Sequence, residues 1–183
     1  MDSPAIYTIG YGKREVDEFI AVLESHSVNF LVDVRSAPFS KFKPAFSRDA
    51  LDTALRTRGI RYVFMGDLLG GRPAERDCYI DGKVDYERLK ATDSFRRGIA
   101  RLRSAWEQSL RVCLMCSEGR PEDCHRSKLI GEVLEAEALG IRHIDADGNL
   151  KTQAAVIQAL KRGQMQLFNA PLTSRKRYNV EPP

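Results

Sequence analysis

Short apolar runs rich in β-branched and aromatic residues alternate along this chain with stretches of helical periodicity, and a mainly parallel sheet with helices packed on it satisfies that alternation. The spacing predicts strands near residues 5–9, 28–34, 60–64, 110–116 and 141–145. Between the first two, Val16, Phe19, Ile20 and Leu23 recur at i, i+3, i+4 and i+7 and share one face of an amphipathic helix. A second helix is expected after Ser47, burying Leu51, Ala54 and Leu55 and ending before Gly59. A third helical region, about 86–107, carries the stripe Phe95, Ile99, Leu102 and Trp106, with Asp93 or Ser94 placed to cap a break. Asp123 reads as the N-cap of a fourth helix that turns Leu129, Ile130, Val133, Leu134 and Ala138 inward and stops at Gly140. Thr152 opens a last helix running to Leu160.

The expected fold is therefore a single α/β domain, residues 1–162, with a mainly parallel sheet of about five strands flanked by helices. From residue 163 onward the periodicity stops and Pro171, Pro182 and Pro183 gather beside Arg175, Lys176 and Arg177, so 163–183 reads as a basic, proline-containing C-terminal tail. With 183 residues, 43% hydrophobic and 30% charged, the chain has the makings of a packed core and not the composition of disorder. Its longest apolar runs are too short to span a bilayer and no charged-then-apolar leader opens it, so the expectation is a cytoplasmic protein without a membrane partner. Cys78, Cys113, Cys116 and Cys124 are unevenly spread and fit reduced thiols better than a disulfide framework. A net charge of +4 favours an anionic partner, a small molecule or a nucleic acid, but lacks the density of a dedicated nucleic-acid binder.

In an open parallel sheet ligands bind outside the carboxyl ends of the strands, where loops converge and helix N-termini point free N–H groups. At that edge the chain reads Cys116-Ser117-Glu118-Gly119-Arg120-Pro121-Glu122-Asp123-Cys124-His125-Arg126. Cys116, Glu118, Cys124 and His125 are the candidate catalytic residues: a helix start beside an arginine favours a thiolate nucleophile, and an imidazole or carboxylate supplies the acid or base. Packing thiols, a solvated histidine and surface ion pairs are the plainer account of the same residues. Cys113, three residues before Cys116 in a strand, points to the other face and reads as core. Cys116, Cys124 and His125 also form a zinc-capable set, although without paired metal-ligand spacing, and no cofactor is otherwise expected.

Around the same edge, Asp33, Arg35, Ser36, Arg126, Tyr11 and Arg72 are candidates for holding an anion. Asp33 and Arg35 project to one side, either toward the Cys116 loop or into a buried pair that pins their own loop. Gly10 and Gly12 flank Tyr11 in a tight turn, and the segment 66–83 is a long loop able to bring Arg72 over a pocket. Phe39, Lys41, Phe42, Lys43 and Arg48 alternate aromatic and basic character as a surface that stacks bases and neutralises phosphates would. Equally, Phe42 and Phe46 would plug the core with the lysines left in water. His143 and Asp145 on the last strand read as core or strand-end pairing.

Taken together, Tyr7-Thr8-Ile9-Gly10, Leu31-Val32-Asp33-Val34-Arg35-Ser36 with Pro38 and Ser40, Leu69-Gly70-Gly71, Leu114-Met115-Cys116-Ser117-Glu118 and Cys124-His125-Arg126 resemble the family catalogued as Domain of Unknown Function 488, up to about residue 160. Members of that family often carry a histidine after the first glycine, where this chain has Tyr11. The resemblance implies a site at the cysteines and no particular reaction. A weaker likeness, to rhodanese and its phosphatase relatives, implies Rossmann-like or rhodanese-like layering. In those proteins an Asp-Val-Arg strand precedes a strand ending in the cysteine of a substrate loop; here that loop is longer and holds Pro121 and a second cysteine. Three functions follow as expectations. The first is a Cys/His/Arg-dependent transferase or hydrolase acting on a nucleotide, a modified base or a phosphorylated metabolite. The second is a nucleic-acid binding module that adds Arg96, Arg97, Arg101 and Arg103 to the aromatic loop, and the third is a zinc-stabilised structural protein.

Overall fold

A computed structural model describes residues 5–163 and 172–179 of the chain. In chain order the strands are β1 (Ile6–Gly10), β2 (Phe30–Asp33), β3 (Arg61–Phe64), a short pair β4 (Tyr79–Ile80) and β5 (Lys83–Val84), β6 (Val112–Cys116), β7 (Ile141–Ile144) and β8 (Leu150–Thr152). The helices are α1 (Val16–Ser25), α2 (Arg48–Arg56), α3 (Gly66–Leu69), α4 (Tyr86–Lys90), α5 (Asp93–Glu107), α6 (Glu132–Ala136) and α7 (Gln153–Gly163). Six strands form one sheet in the order β3-β2-β6-β1-β7-β8, parallel except for the β7–β8 edge pair. All five expected strands are present, in a single α/β domain with helices on both faces.

The order places β6 at the centre, between β1 and β2, although both precede it by many residues. Its carboxyl end therefore emerges beside the ends of both neighbours, with Gly10 paired to Cys116 and Asp33 paired to Met115. Because side chains alternate across a strand, β6 feeds two cores. Leu114 and Cys116 pack with Val32, Val34, Ile99 and Leu129 on one face, while Cys113 and Met115 pack with Ile9, Phe19, Leu31 and Leu51 on the other. Cys113 is wholly buried there, as its position in the strand predicts.

Several local features differ from the expectation. The segment 66–83 is not one long loop: it begins with α3 and ends in the β4–β5 pair, whose turn residues Asp81 and Gly82 take φ of 50° and 75°. An Asp-Gly pair at positive φ is the usual two-residue hairpin turn, so the dipeptide itself was the signal. The break in the third helical region is capped by Thr92, whose hydroxyl accepts from the Phe95 N–H, rather than by Asp93 or Ser94; Asp85 caps α4. The fourth helix does not start at Asp123. Pro121–Asp123 form a 3-10 turn, Cys124 is extended (φ −117°, ψ 151°), and the helix begins after it with a wide π-helical turn, Arg126–Gly131, that leads into α6. Ala138 at φ 57°, not Gly140, terminates α6. Phe46 plugs the core, stacked on Tyr11 and edge-on to Phe19, but Phe42 stands almost wholly in solvent.

Of the tail expected from residue 163, the described part is 172–179; Pro171, Pro182 and Pro183 lie outside the described residues. This strap lies along β5 and the hairpin turn. Ser174 N–H donates to Val84 O (3.0 Å), Val84 N–H to Ser174 Oγ (2.9 Å) and Tyr178 N–H to Gly82 O (2.7 Å). Among the described residues no helix is long and apolar enough to cross a membrane.

His143, in the middle of β7, accounts for one pH-dependent property of the fold. Its Nε2–H donates to Gln153 Oε1 and its Nδ1 accepts from the Thr8 hydroxyl, both at 2.7 Å, so both ring nitrogens are engaged with the ring neutral. Burial pushes its pKa down to about 4, only partly opposed by the Gln153 bond and reinforced by Arg126. A histidine depressed on folding binds its proton more readily in the unfolded chain, so between about pH 6.5 and 4 stability falls as pH falls. Full passage through that window costs about 3 kcal/mol. Urea denaturation at pH 7 and pH 4.5 should show this loss, and His143→Gln should flatten it; an unchanged pH slope in the variant would assign the loss elsewhere.

Candidate functional site

Cys116 ends β6, and the loop that follows returns over the end of β1. Tyr11 N–H donates to Cys116 O (3.2 Å) and Gly12 N–H to Ser117 O (3.1 Å), extending the β1–β6 ladder into the loop. At Cys124 the chain comes back to its starting point. The two sulfurs, Cys116 Sγ and Cys124 Sγ, lie 2.7 Å apart, and all four cysteines of the chain are free thiols.

Two neighbours complete the cluster. His125 donates from Nε2 to Val34 O, the carbonyl just past β2, at 3.1 Å. A carbonyl can only accept, so the proton of the neutral ring sits on Nε2 and the Nδ1 lone pair faces Cys124 Sγ at 3.6 Å. Arg126 turns inward and is completely buried. Its Nη1 donates to Cys116 Sγ (3.1 Å) and Glu118 O (3.0 Å), and its Nη2 to Gly119 O (3.1 Å). Its Nε has no hydrogen-bond partner. The π-helical turn also brings the Arg126 backbone N–H to 3.4 Å from Cys124 Sγ; such turns are frequent at functional sites.

Burial pushes Cys116 well above the ordinary thiol range, helped by its hydrogen bond with Cys124 and only partly countered by Arg126, so at neutral pH it is a proton-bearing group. Burial also acts to raise the Glu118 carboxyl, but hydrogen bonds from its own backbone N–H and the Cys116 thiol, with the nearby His125, hold it below the usual carboxylate range. Burial works against the Arg126 charge as well; the Cys116, Cys124 and Glu118 groups outweigh it and keep the guanidinium a cation.

Cys124, His125 and Glu118 line a small cleft whose other wall is the C-terminal strap, with Ser174, Lys176 and Tyr178. Its volume of about 50 Å³ admits a few waters or one small reacting group. Cys116 does not line the cleft and lies against Cys124; both residues are 1% exposed. Periodicity could not have found the strap, because it has none, nor the Val34 carbonyl, because main-chain atoms leave no mark in a sequence.

The other expected anion-binding residues are elsewhere. Asp33 is fully buried and takes four hydrogen-bond donors: Arg35 N–H at 3.0 Å, Arg35 Nε at 2.9 Å, Arg35 Nη2 at 2.6 Å and the Tyr62 hydroxyl at 2.6 Å. Arg35 also donates to Phe46 O (2.8 Å) and lies over the Tyr11 ring. This cluster occupies the Met115 face of the sheet, opposite Cys116, so Asp33 and Arg35 pin their own loop and do not meet the cysteines. Tyr11 is packed on Phe46 with its hydroxyl on Ser40, and Ser36 Oγ accepts from the Arg72 N–H. Arg126 holds its loop from within and is closed to an external anion. Only Arg72 stays near the cleft, its guanidinium stacked on the Tyr178 ring, 4.6 Å from the ring centre. In the aromatic loop Phe39 and Phe42 are 70% and 93% exposed and Lys41 is exposed. Lys43 is tied to Glu15 and to two main-chain carbonyls, and Arg48 lies over Phe64.

Among the described residues the metal-capable donors are Cys116, Glu118 and Cys124, whose ligand atoms lie within 4.8 Å of one another, with His125 Nδ1 beside them. Two features fit a zinc ion poorly. Tetrahedral zinc bonded to thiolates at about 2.3 Å spreads two sulfurs to roughly 3.8 Å, whereas these stand at 2.7 Å. The Arg126 guanidinium, 3.1 Å from Cys116 Sγ, would also repel a dication.

The family model described as Domain of unknown function DUF488 matches residues 15–133, which take in β2, β6 and the whole of the cysteine loop. No curated protein and no solved structure matches the chain.

Proposed function

This chain belongs to the DUF488 family, and we propose that it is a cysteine-dependent enzyme in which Cys124 is the nucleophile and His125 its base. The observation that carries the reading is the imidazole: Val34 O fixes its tautomer and leaves a lone pair 3.6 Å from Cys124 Sγ. Nucleophile, base and orienting group are then in the order that thiol catalysis requires. Cys124 contributes its proton to His125 and its sulfur to a covalent intermediate, and His125 returns the proton to the leaving group. The Arg126 backbone N–H faces the same sulfur. Lys176, and Arg175 paired with Asp123 at 3.8 Å, line the cleft and suit an anionic substrate. The cleft takes in only the reacting group, so a nucleotide, modified base or phosphorylated metabolite would lie mostly across the surface around Arg72 and Lys176. Group transfer or hydrolysis both fit this arrangement.

The test is alkylation of the reduced protein by iodoacetamide with peptide mapping. Cys124 is expected to react first and Cys78 and Cys113 far more slowly, with inorganic phosphate or a nucleotide protecting Cys124. His125→Gln should slow alkylation of Cys124 at neutral pH by roughly tenfold or more. A Cys124 that reacts no faster than Cys113, or is indifferent to His125, would remove the nucleophile.

Exposure of Phe39 and Phe42 favours a second reading, a nucleic-acid contact through stacking. Retention on a single-stranded oligonucleotide should then weaken with salt and drop several-fold in a Phe39→Ala, Phe42→Ala double variant; salt-independent retention would dismiss it.

A further inference from the structure

The proposed nucleophile does not need the second thiol, yet the fold brings that thiol to it. Residues 116 and 124 lie on different elements, one ending a central strand and one preceding a helix, and their sulfurs still stand 2.7 Å apart. A disulfide requires about 2.0 Å, so the remaining approach is small. Both sulfurs belong to residues only 1% exposed, but Cys124 lines the cleft and Cys116 does not, and Cys116 accepts a hydrogen bond from the buried Arg126 Nη1. A thiol used only for packing does not need a cation buried against its sulfur.

We propose that Cys124 and Cys116 are the attacking and resolving thiols of a dithiol–disulfide cycle that reduces a small hydroperoxide. The proposal rests on the reactive Cys124 described above and adds the co-substrate class. In the first step Cys124, its proton held on His125 Nδ1, attacks the peroxide. An S–O bond forms, the O–O bond breaks, and the departing alkoxide or hydroxide takes the proton from His125 as alcohol or water. Cys124 is oxidised by two electrons to the sulfenic acid and the peroxide is reduced. In the second step Cys116 Sγ attacks Cys124 Sγ: the S–S bond forms, the S–O bond breaks, and hydroxide leaves with the Cys116 proton as water. An external dithiol restores the pair by exchange at Cys124, the only one of the two sulfurs that faces the cleft, and Cys116 takes back its proton beneath it. A cleft of about 50 Å³ admits hydrogen peroxide and excludes bulky hydroperoxides.

Arg126 has a defined part in the cycle. As Cys116 gives up its proton, negative charge develops on a buried sulfur, and the guanidinium 3.1 Å away is already in place to meet it. Arg126 thus stabilises the resolving thiol and does not bind substrate.

The full-length reduced protein is treated with hydrogen peroxide, quenched with N-ethylmaleimide and mapped by mass spectrometry without reduction. The expected product is an intramolecular Cys116–Cys124 disulfide with Cys78 and Cys113 still alkylated. Cys116→Ala is expected to stop at a Cys124 sulfenic acid that dimedone traps, and to lower peroxide consumption with dithiothreitol at least tenfold. If Cys124 alkylates rapidly in the wild-type protein but peroxide yields no Cys116–Cys124 bond, the redox pair is wrong and the nucleophile stands. If Cys124 reacts with neither reagent, both proposals fall. Mapping of the wild-type protein decides the question even if Cys116→Ala does not fold, and a bond from either cysteine to Cys78 or Cys113 overturns it.

Discussion

Gly10→Ala is expected to cost more than about 4 kcal/mol of folding stability, enough to leave little native protein. Gly10 is buried at the end of β1, and the return of the cysteine loop uses the space a side chain would fill. A methyl group there would overlap Glu118 O and the Arg126 guanidinium. Neither can retreat easily. The Glu118 carbonyl belongs to a loop held by the β1–β6 ladder, and Arg126 is surrounded by the sulfur and carbonyl acceptors that satisfy it. Relief would mean lifting residues 117–119 off the strand, which would unseat Arg126 and separate Cys116 from Cys124. Gly59→Ala is the informative control: nothing lies within 4 Å of its added methyl, but its φ is 72°. It should lose only the left-handed backbone penalty of about 1–2 kcal/mol. Urea denaturation of both variants separates collision from backbone strain. A Gly10→Ala protein within about 1 kcal/mol of wild type would mean that the loop does not lie over β1.

The second large effect is expected at Asp33. Truncation to alanine leaves the Arg35 guanidinium, 7% exposed, without its anion and removes the acceptor of the Tyr62 hydroxyl. Breaking a buried pair from one side costs about 3–5 kcal/mol, because the surviving charge remains desolvated. Removing both charges is a different experiment. A double variant, Asp33→Leu with Arg35→Met, should recover a large part of the loss, since apolar replacements of similar volume need no counter-charge. It will not recover all of it, because Arg35 also donates to Phe46 O and so anchors the turn that seats Phe46 in the core. Chemical denaturation of the single and double variants checks this. If the double variant is no better than Asp33→Ala, the damage comes from packing and not from the orphaned charge.

These two positions mark how far the sequence can be read. The central strands were legible because each buried strand is a run of apolar residues such as Val112-Cys113-Leu114-Met115-Cys116, and α1 because Phe19, Ile20 and Leu23 recur at its period. The β4–β5 pair was not, since two-residue strands have no period to detect; only Asp81-Gly82 announced it. The helix start after Cys116 was placed too early, because Asp123 has the better capping chemistry while Cys124 is still extended and the first helical turn runs from Arg126. For Asp33 and Arg35 the sequence left two readings open, a place at the Cys116 loop or a buried pair, and the structure holds the pair.

The local order of residues determined that thiols, imidazole and guanidinium would gather at the carboxyl end of a strand, because periodicity places strands and helix starts without reference to the rest of the chain; that the strand is a central one came from the sheet order. Which of them meet was decided by the tertiary structure alone. Strand register pairs Asp33 with Met115, one residue from Cys116, and a shift of one residue in a strand exchanges the faces of the sheet. That single step sends Asp33 and Arg35 away from the cysteines. The bare backbone of Gly10, lying under Arg126, turns the same arginine inward onto sulfur.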